Sequence, residues 1–239
     1  MAKSTTNLHF DAILFDMDGT LVDSAAGVEG AWNLFREAYP SIDVHDILSS
    51  SHGIRTVDNL RKHCGINDPV VLEREAVRFE EAIVSSASEG GRAGIVLLPG
   101  VKPIIEELAS QRFLPKPRWA ICTSATREYA TSALNSAGIL IPDVFITSED
   151  VDNGKPHPDP FLRGAEKCGA DPSKCLVLED SPNGIRSGRE AGCKTIGLLT
   201  THSKDQVEAA KPDIIVKDLS AITMKLTDEG VKVTVTMHE

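Results

Sequence analysis

An apolar run, Ile13-Leu14-Phe15, leads into Asp16-Met17-Asp18-Gly19-Thr20, so two carboxylates stand one residue apart at a glycine turn. On a strand, side chains at i and i+2 share a face. If the strand stops at Asp16, Asp18 enters the turn and curls back instead. In both cases two negative groups meet at the C-terminal end of a strand, where open α/β sheets bind ligands. Such a pair is unfavourable without a cation or a shared proton. The stretch therefore implies a parallel-sheet fold and a metal site that does chemistry.

The rest of the chain fits that fold. The 239 residues suffice for one large domain with a smaller inserted one. A strand is expected at 11–16, after polar residues 1–9 that are expected to fray. Residues 25–38, 43–48, 54–64 and 69–87 read as helices, with no convincing strand among them. Beyond Leu98-Pro99-Gly100, a helix carries Pro103 in its first turn and runs to about 111. Strands at 118–122, 144–147, 175–179, 194–199 and 213–216 then alternate with helices at 127–136, 158–168, 182–191 and 204–210. This alternation predicts an α/β, Rossmann-like core with helices on both faces of a parallel sheet. Two alternating runs around Asp228-Glu229-Gly230 predict a C-terminal β-hairpin. The expected division is a core of 1–24 and 97–239 and an all-helical cap of 25–96, placed as a lid over the active edge.

Charge and cysteine use narrow the partners. A net charge of −10 opposes non-specific nucleic-acid binding, and an anionic substrate has to be met by local cations. No apolar run is long enough to span a bilayer, and the first residues lack the apolar core of a signal peptide. The five cysteines match no metal spacing and read as buried thiols in a reducing, cytoplasmic setting. No membrane partner is expected, and the chain is expected to be a monomer.

Four further stretches end near the same edge. In Trp119-Ala120-Ile121-Cys122-Thr123-Ser124 a strand ends in hydroxyls before a helix, which suits an anion and equally a plain helix cap. In Gly154-Lys155-Pro156-His157-Pro158 the prolines stiffen the backbone around Lys155, poising it to neutralise a phosphoryl oxygen. In Leu178-Glu179-Asp180-Ser181 a second acid pair ends a strand. With Asp16 and Asp18 it makes an all-oxygen set suited to Mg2+. In the lid, Arg55 and His52 of Ser51-His52-Gly53-Ile54-Arg55-Thr56 read either as substrate contacts or as an ordinary helix start. Together these groups supply a carboxylate nucleophile, a proton carrier and charge-stabilising donors, the parts phosphoryl transfer needs.

So assembled, the chain resembles the haloacid dehalogenase superfamily of phosphatases. The four motifs occur in order: DMDGT (16–20), the Thr123 strand end, Lys155 in GKPHPDP, and LEDSPNGI (178–185). SHGIRT (51–56), KPRWAICTSATR (116–127) and FITSEDVDNGKPHPDPF (145–161) are similar to its glycerol-3-phosphate and 2-deoxyglucose-6-phosphate phosphatase group. The resemblance implies a small polyol or sugar phosphate as substrate, glycerol phosphate foremost. It makes Asp16 the nucleophile and Asp18 the general acid/base. It gives Mg2+ to Asp16, the Asp18 backbone carbonyl and Asp180, with Glu179 direct or through water. It gives phosphate to Thr123, Ser124 and Lys155, with Met17 and Arg127 near the same pocket, and substrate to His52, Gly53 and Arg55. A hexose phosphatase and a β-phosphoglucomutase-like mutase are the alternatives.

Overall fold

In the computed structural model, which describes residues 3–110 and 116–238, the first strands form as the chain leaves its N-terminus. They are β1 (Lys3–Phe10), β2 (Ala12–Phe15) and β3 (Val22–Asp23). Four helices follow: α1 (Ala25–Ala38), α2 (Val44–Ser50), α3 (Thr56–Cys64) and α4 (Pro69–Ala87). Next come β4 (Val96–Leu97), α5 (Val101–Ala109), β5 (Trp119–Cys122), α6 (Arg127–Ser136) and β6 (Val144–Ile146). The chain then runs through α7 (Asp159–Lys167), β7 (Cys175–Glu179), α8 (Pro182–Glu190), β8 (Lys194–Leu198), α9 (Lys204–Ala209) and β9 (Ile214–Val216). It closes with β10 (Ile222–Thr227) and β11 (Gly230–His238).

The main sheet has six parallel strands in the order β6-β5-β2-β7-β8-β9. Strands β2, β5 and β7 are buried along their whole length, as expected of a sheet covered on both faces. From β2 the chain builds outward on one side, then returns to build on the other. The crevice at that reversal lies over the C-terminal ends of β2, β5 and β7, the usual ligand site of such sheets.

The helical block stands where the sequence places it. Asp43 caps α2 by accepting from the Asp46 N–H, and Asp68 caps α4 with Pro69 in its first turn. Helices α1 and α4 share an aromatic core in which Trp32 and Phe79 lie 4.5 Å apart and Phe35 and Phe79 5.0 Å apart. The block leaves and rejoins the core through a two-stranded ribbon of β3 and β4, a pairing too short to leave a sequence signal.

The N-terminus departs from expectation. Instead of fraying, residues 3–10 form β1, which pairs antiparallel with β11 from Lys3↔His238 to Phe10↔Val231. The expected hairpin of β10 and β11 is thus a three-stranded sheet. Residues 1 and 2 lie outside the described residues, as does 111, the expected end of α5.

Candidate active site

Strand β2 ends at Phe15, so Asp16 leaves the strand and Asp18 lies in the turn, bridged to Val22. Gly19 makes that turn at φ +83°, and a Cβ there would stand 2.4 Å from Asp180 Oδ2. Both its backbone conformation and its packing therefore call for glycine.

Asp16, Lys155, Glu179 and Asp180 are all buried. Lys155 Nζ lies 2.5 Å from Asp16 Oδ1 and 2.9 Å from Glu179 Oε1. The other Glu179 oxygen accepts from the Ser181 N–H at 2.7 Å and the Ser181 hydroxyl at 3.0 Å. Asp180 accepts from Thr20 Oγ1 at 3.1 Å and from the Thr201 hydroxyl. Oxygens of Asp16, Glu179 and Asp180 lie within 4.8 Å of one another. Three buried carboxylates thus share one ammonium, and a further cation or bound protons must balance them. Their all-oxygen, carboxylate chemistry fits a hard divalent ion such as Mg2+.

The same crowding sets the titration. Burial lifts the Asp16 carboxyl to about 7 despite Lys155, and burial with the Asp16 charge lifts Asp180 to about 7. A carboxyl whose pKa is raised by folding stabilises the fold only while protonated. Without metal, that contribution is lost as pH rises from 3.8 towards about 7. The gain in Tm on adding Mg2+ is therefore expected to grow through this window. Thermal melts in chelator and in Mg2+ across that range check it, and a gain that stays constant would contradict it.

Asp18 is held differently. Its Oδ1 accepts from Ser24 Oγ at 2.6 Å and from the Tyr129 hydroxyl at 2.8 Å. Its pKa is raised by burial and drawn back by those two donors. Thr123 Oγ1 accepts from the Ala125 N–H at 3.1 Å, which leaves its own proton free to donate. The Met17 and Ser124 N–H groups have no acceptor among the described residues, so both are open to an anion. Above these groups lies a cavity of about 90 Å³, walled by Asp16, Asp18 and Thr123 below and by His52, Asn59 and Phe79 of the helical block above.

The model of the haloacid dehalogenase-like hydrolases matches residues 10–192. The chain belongs to that family. It is 37% identical over 223 residues to glycerol-1-phosphate phosphohydrolase 2 of Saccharomyces cerevisiae, covering 90% of this chain and 85% of the relative. It is 30% identical to 2-deoxyglucose-6-phosphate phosphatase 1 of the same yeast, covering 92% of each. Among solved structures, a hydrolase from Pseudomonas syringae superposes with a TM-score of 0.73 at 26% identity, over 88% of this chain and 94% of that one. With this family and these phosphatase relatives, the chain is an enzyme of the phosphoric monoester hydrolase class.

Not every residue singled out in the sequence reaches the cavity of this hydrolase. Arg127, expected near the phosphate, starts α6 on the surface, where it pairs with Asp150 and lies over the Phe145 ring. Arg55, expected on the substrate, binds Asp58 at 2.7 Å and the Asp152 carbonyl at 3.1 Å, clasping the helical block to the core. Ser124 lines the cavity, but its hydroxyl donates to the Gly53 carbonyl at 2.6 Å. Gly53 contributes that carbonyl and a φ of +78° beside Ser181. The Met17 side chain is fully buried, so only its backbone faces the turn.

Other supporting groups received no role from the sequence. Tyr129 meets Asp18 from 111 positions away and Thr20 meets Asp180 from 160, while Ser24 and Thr201 reach the same two carboxylates from 6 and 21 positions away. Glu80 of α4 is buried and accepts from Thr56 Oγ1 at 3.0 Å and from the Thr126 N–H at 3.2 Å, forming a second clasp. Of these, Thr20 stood in the DMDGT motif without a role of its own, and Thr126 stood as the N-cap of α6.

Proposed function

We propose that this enzyme is a Mg2+-dependent phosphatase of small polyol or sugar phosphates, with glycerol phosphate foremost, that works through a phosphorylated Asp16. The observation that carries the proposal is the buried Asp16-Lys155-Glu179 chain of contacts beneath a cavity of about 90 Å³ closed by the helical block. The names of the two yeast relatives support the substrate class. We take 1–24 and 97–239 as the hydrolase core and 25–96 as its cap. The described cysteines are all free, which is consistent with a cytoplasmic setting.

In this proposal the Asp16 carboxylate attacks phosphorus and the ester P–O bond breaks, giving an acyl phosphate on Asp16. Asp18 gives its proton to the departing alkoxide. Asp18 then takes a proton from a water that attacks the phosphorus, and phosphate leaves with Asp16 regenerated. Thr123, Lys155 and the Met17 and Ser124 N–H groups stabilise charge on the phosphoryl oxygens. When bound at Asp16, Asp180 and the Asp18 carbonyl, with Glu179 beside it, Mg2+ supplies charge that offsets repulsion between carboxylate and phosphate.

The double hydrogen bond on Asp18 Oδ1 leaves Oδ2 to carry the proton. Tyr129→Phe is thus expected to lower kcat on an alkyl phosphate about tenfold, a fraction of the general-acid contribution. An aryl phosphate, whose phenolate leaves unprotonated, should lose little. Paired kcat measurements check this; equal losses would contradict a role through Asp18.

A phosphate-release screen tests the proposal itself. Glycerol-1-phosphate, glycerol-3-phosphate and hexose-6-phosphates, including 2-deoxyglucose-6-phosphate, should be cleaved in Mg2+, the glycerol phosphates fastest. Preference for a nucleotide or phosphoprotein, or isomerisation of glucose-1-phosphate without phosphate release, would overturn it.

A further inference from the structure

A second group of ligating side chains meets at the seam between the helical block and the core. His52 comes from the loop before α3, His202 from the loop after β8, and Asp180 from the end of β7. One ligand atom from each lies within 4.8 Å of the others. The centres of the two imidazole rings lie 5.3 Å apart with their planes tilted by 60°, and His202 is buried.

The hydrogen bonds fix how His202 presents itself. Its Nδ1 lies 2.8 Å from Thr201 Oγ1. The single Thr201 proton goes to Asp180 Oδ2, which when ionised only accepts. With Asp180 ionised, as a bound cation requires, Thr201 accepts from His202, so Nδ1 carries the proton and the lone pair sits on Nε2. An imidazole with one nitrogen held as a donor and the other bare is the form that binds metals.

We propose that His52, His202 and Asp180 form a second metal site, for a borderline transition cation such as Zn2+, that ties the helical block to the core. Two nitrogen donors with one carboxylate suit Zn2+, whereas the all-oxygen set of Asp16, Glu179 and Asp180 suits Mg2+. Zn–N bonds of about 2.0–2.1 Å require the three ligand atoms to draw closer than 4.8 Å. His52 sits in a loop anchored to the core by the bond from Asn183 Nδ2 to its own carbonyl, at 2.9 Å, so its ring can turn while the backbone stays in place. Because Asp180 belongs to both groups, Zn2+ on the histidines draws it from the Mg2+ set and holds the lid down. Zn2+ therefore inhibits. Binding stands independently of the proposed phosphatase activity; only the inhibition rests on it.

The test titrates Zn2+ into the full chain in saturating Mg2+, by calorimetry, beside the His202→Asn and His52→Ala variants. Asparagine keeps an amide donor toward Thr201 but lacks Nε2. One Zn2+ per wild-type chain is expected, with affinity reduced about a hundredfold in either variant, at least the cost of losing a supporting group around a metal. In parallel phosphate-release assays, His202→Asn should keep its Mg2+-dependent rate and need about a hundredfold more Zn2+ for half inhibition. Equal Zn2+ affinity in wild type and both variants, or no Zn2+ binding above the Mg2+ background, would overturn the site. Zn2+ binding as expected in a chain that releases no phosphate would leave the site standing and refute the phosphatase instead.

Discussion

Asp16→Asn is expected to remove turnover, with kcat lower by 10⁴-fold or more on the order of what nucleophile loss costs elsewhere. Asparagine keeps the shape at the end of β2 but has no anionic oxygen to attack phosphorus. The variant should remain folded, because the exchange removes one of the two carboxylates paired with Lys155 rather than their cation. Its metal-free form should be no less stable than wild type, since fewer buried negative charges then lack a partner. Steady-state phosphate release and a chelated thermal melt measure both effects. Residual turnover within tenfold of wild type would contradict the assignment.

Lys155→Met is expected to damage stability and activity together. Its ammonium is fully buried against Asp16 and Glu179 and packs 4.9 Å from the Phe161 ring centre. Methionine fills the volume but leaves two buried carboxylates uncompensated, a loss of about 3–5 kcal/mol. Asp16 and Glu179 would then draw protons, so Asp16 would no longer be a ready nucleophile near neutral pH. Activity should fall at least about 10³-fold, since a charge-stabilising donor is lost as well. Mg2+ should restore part of the stability and none of the rate. Urea unfolding with and without Mg2+ decides this, and a loss under about 1 kcal/mol, the size of an exposed pair, would contradict a buried network.

The parts of the molecule visible in its sequence are those with a local signature. Strands β2, β5 and β7 are buried on both sides, so they appear as unbroken apolar runs, and their ends mark the site directly. Helices α2 and α4 announce themselves through Asp43 and Asp68-Pro69. Asp16, Glu179 and Asp180 come together because the ends of two neighbouring parallel strands, β2 and β7, share one edge. Strand β1 was hidden because only Leu8 and Phe10 are apolar in it and its partner lies at the other end of the chain. Arg55, Arg127 and Ser124 are polar groups beside a motif, and sequence cannot distinguish a cavity contact from a clasp. The supports of Asp18 and Asp180 need the tertiary fold to exist at all. Tyr129, for example, meets Asp18 only because α6 begins over the end of β2.

If Asp16 carries the phosphoryl group during turnover, the group can be trapped there. Enzyme turning over glycerol phosphate in Mg2+ is quenched with borohydride, which reduces an acyl phosphate to the alcohol. Peptide mass spectrometry then locates the change. Homoserine is expected at position 16 and nowhere else, formed only with substrate present. Homoserine at another acid, or an unmodified Asp16 under conditions of full turnover, would contradict a phosphoryl group on Asp16.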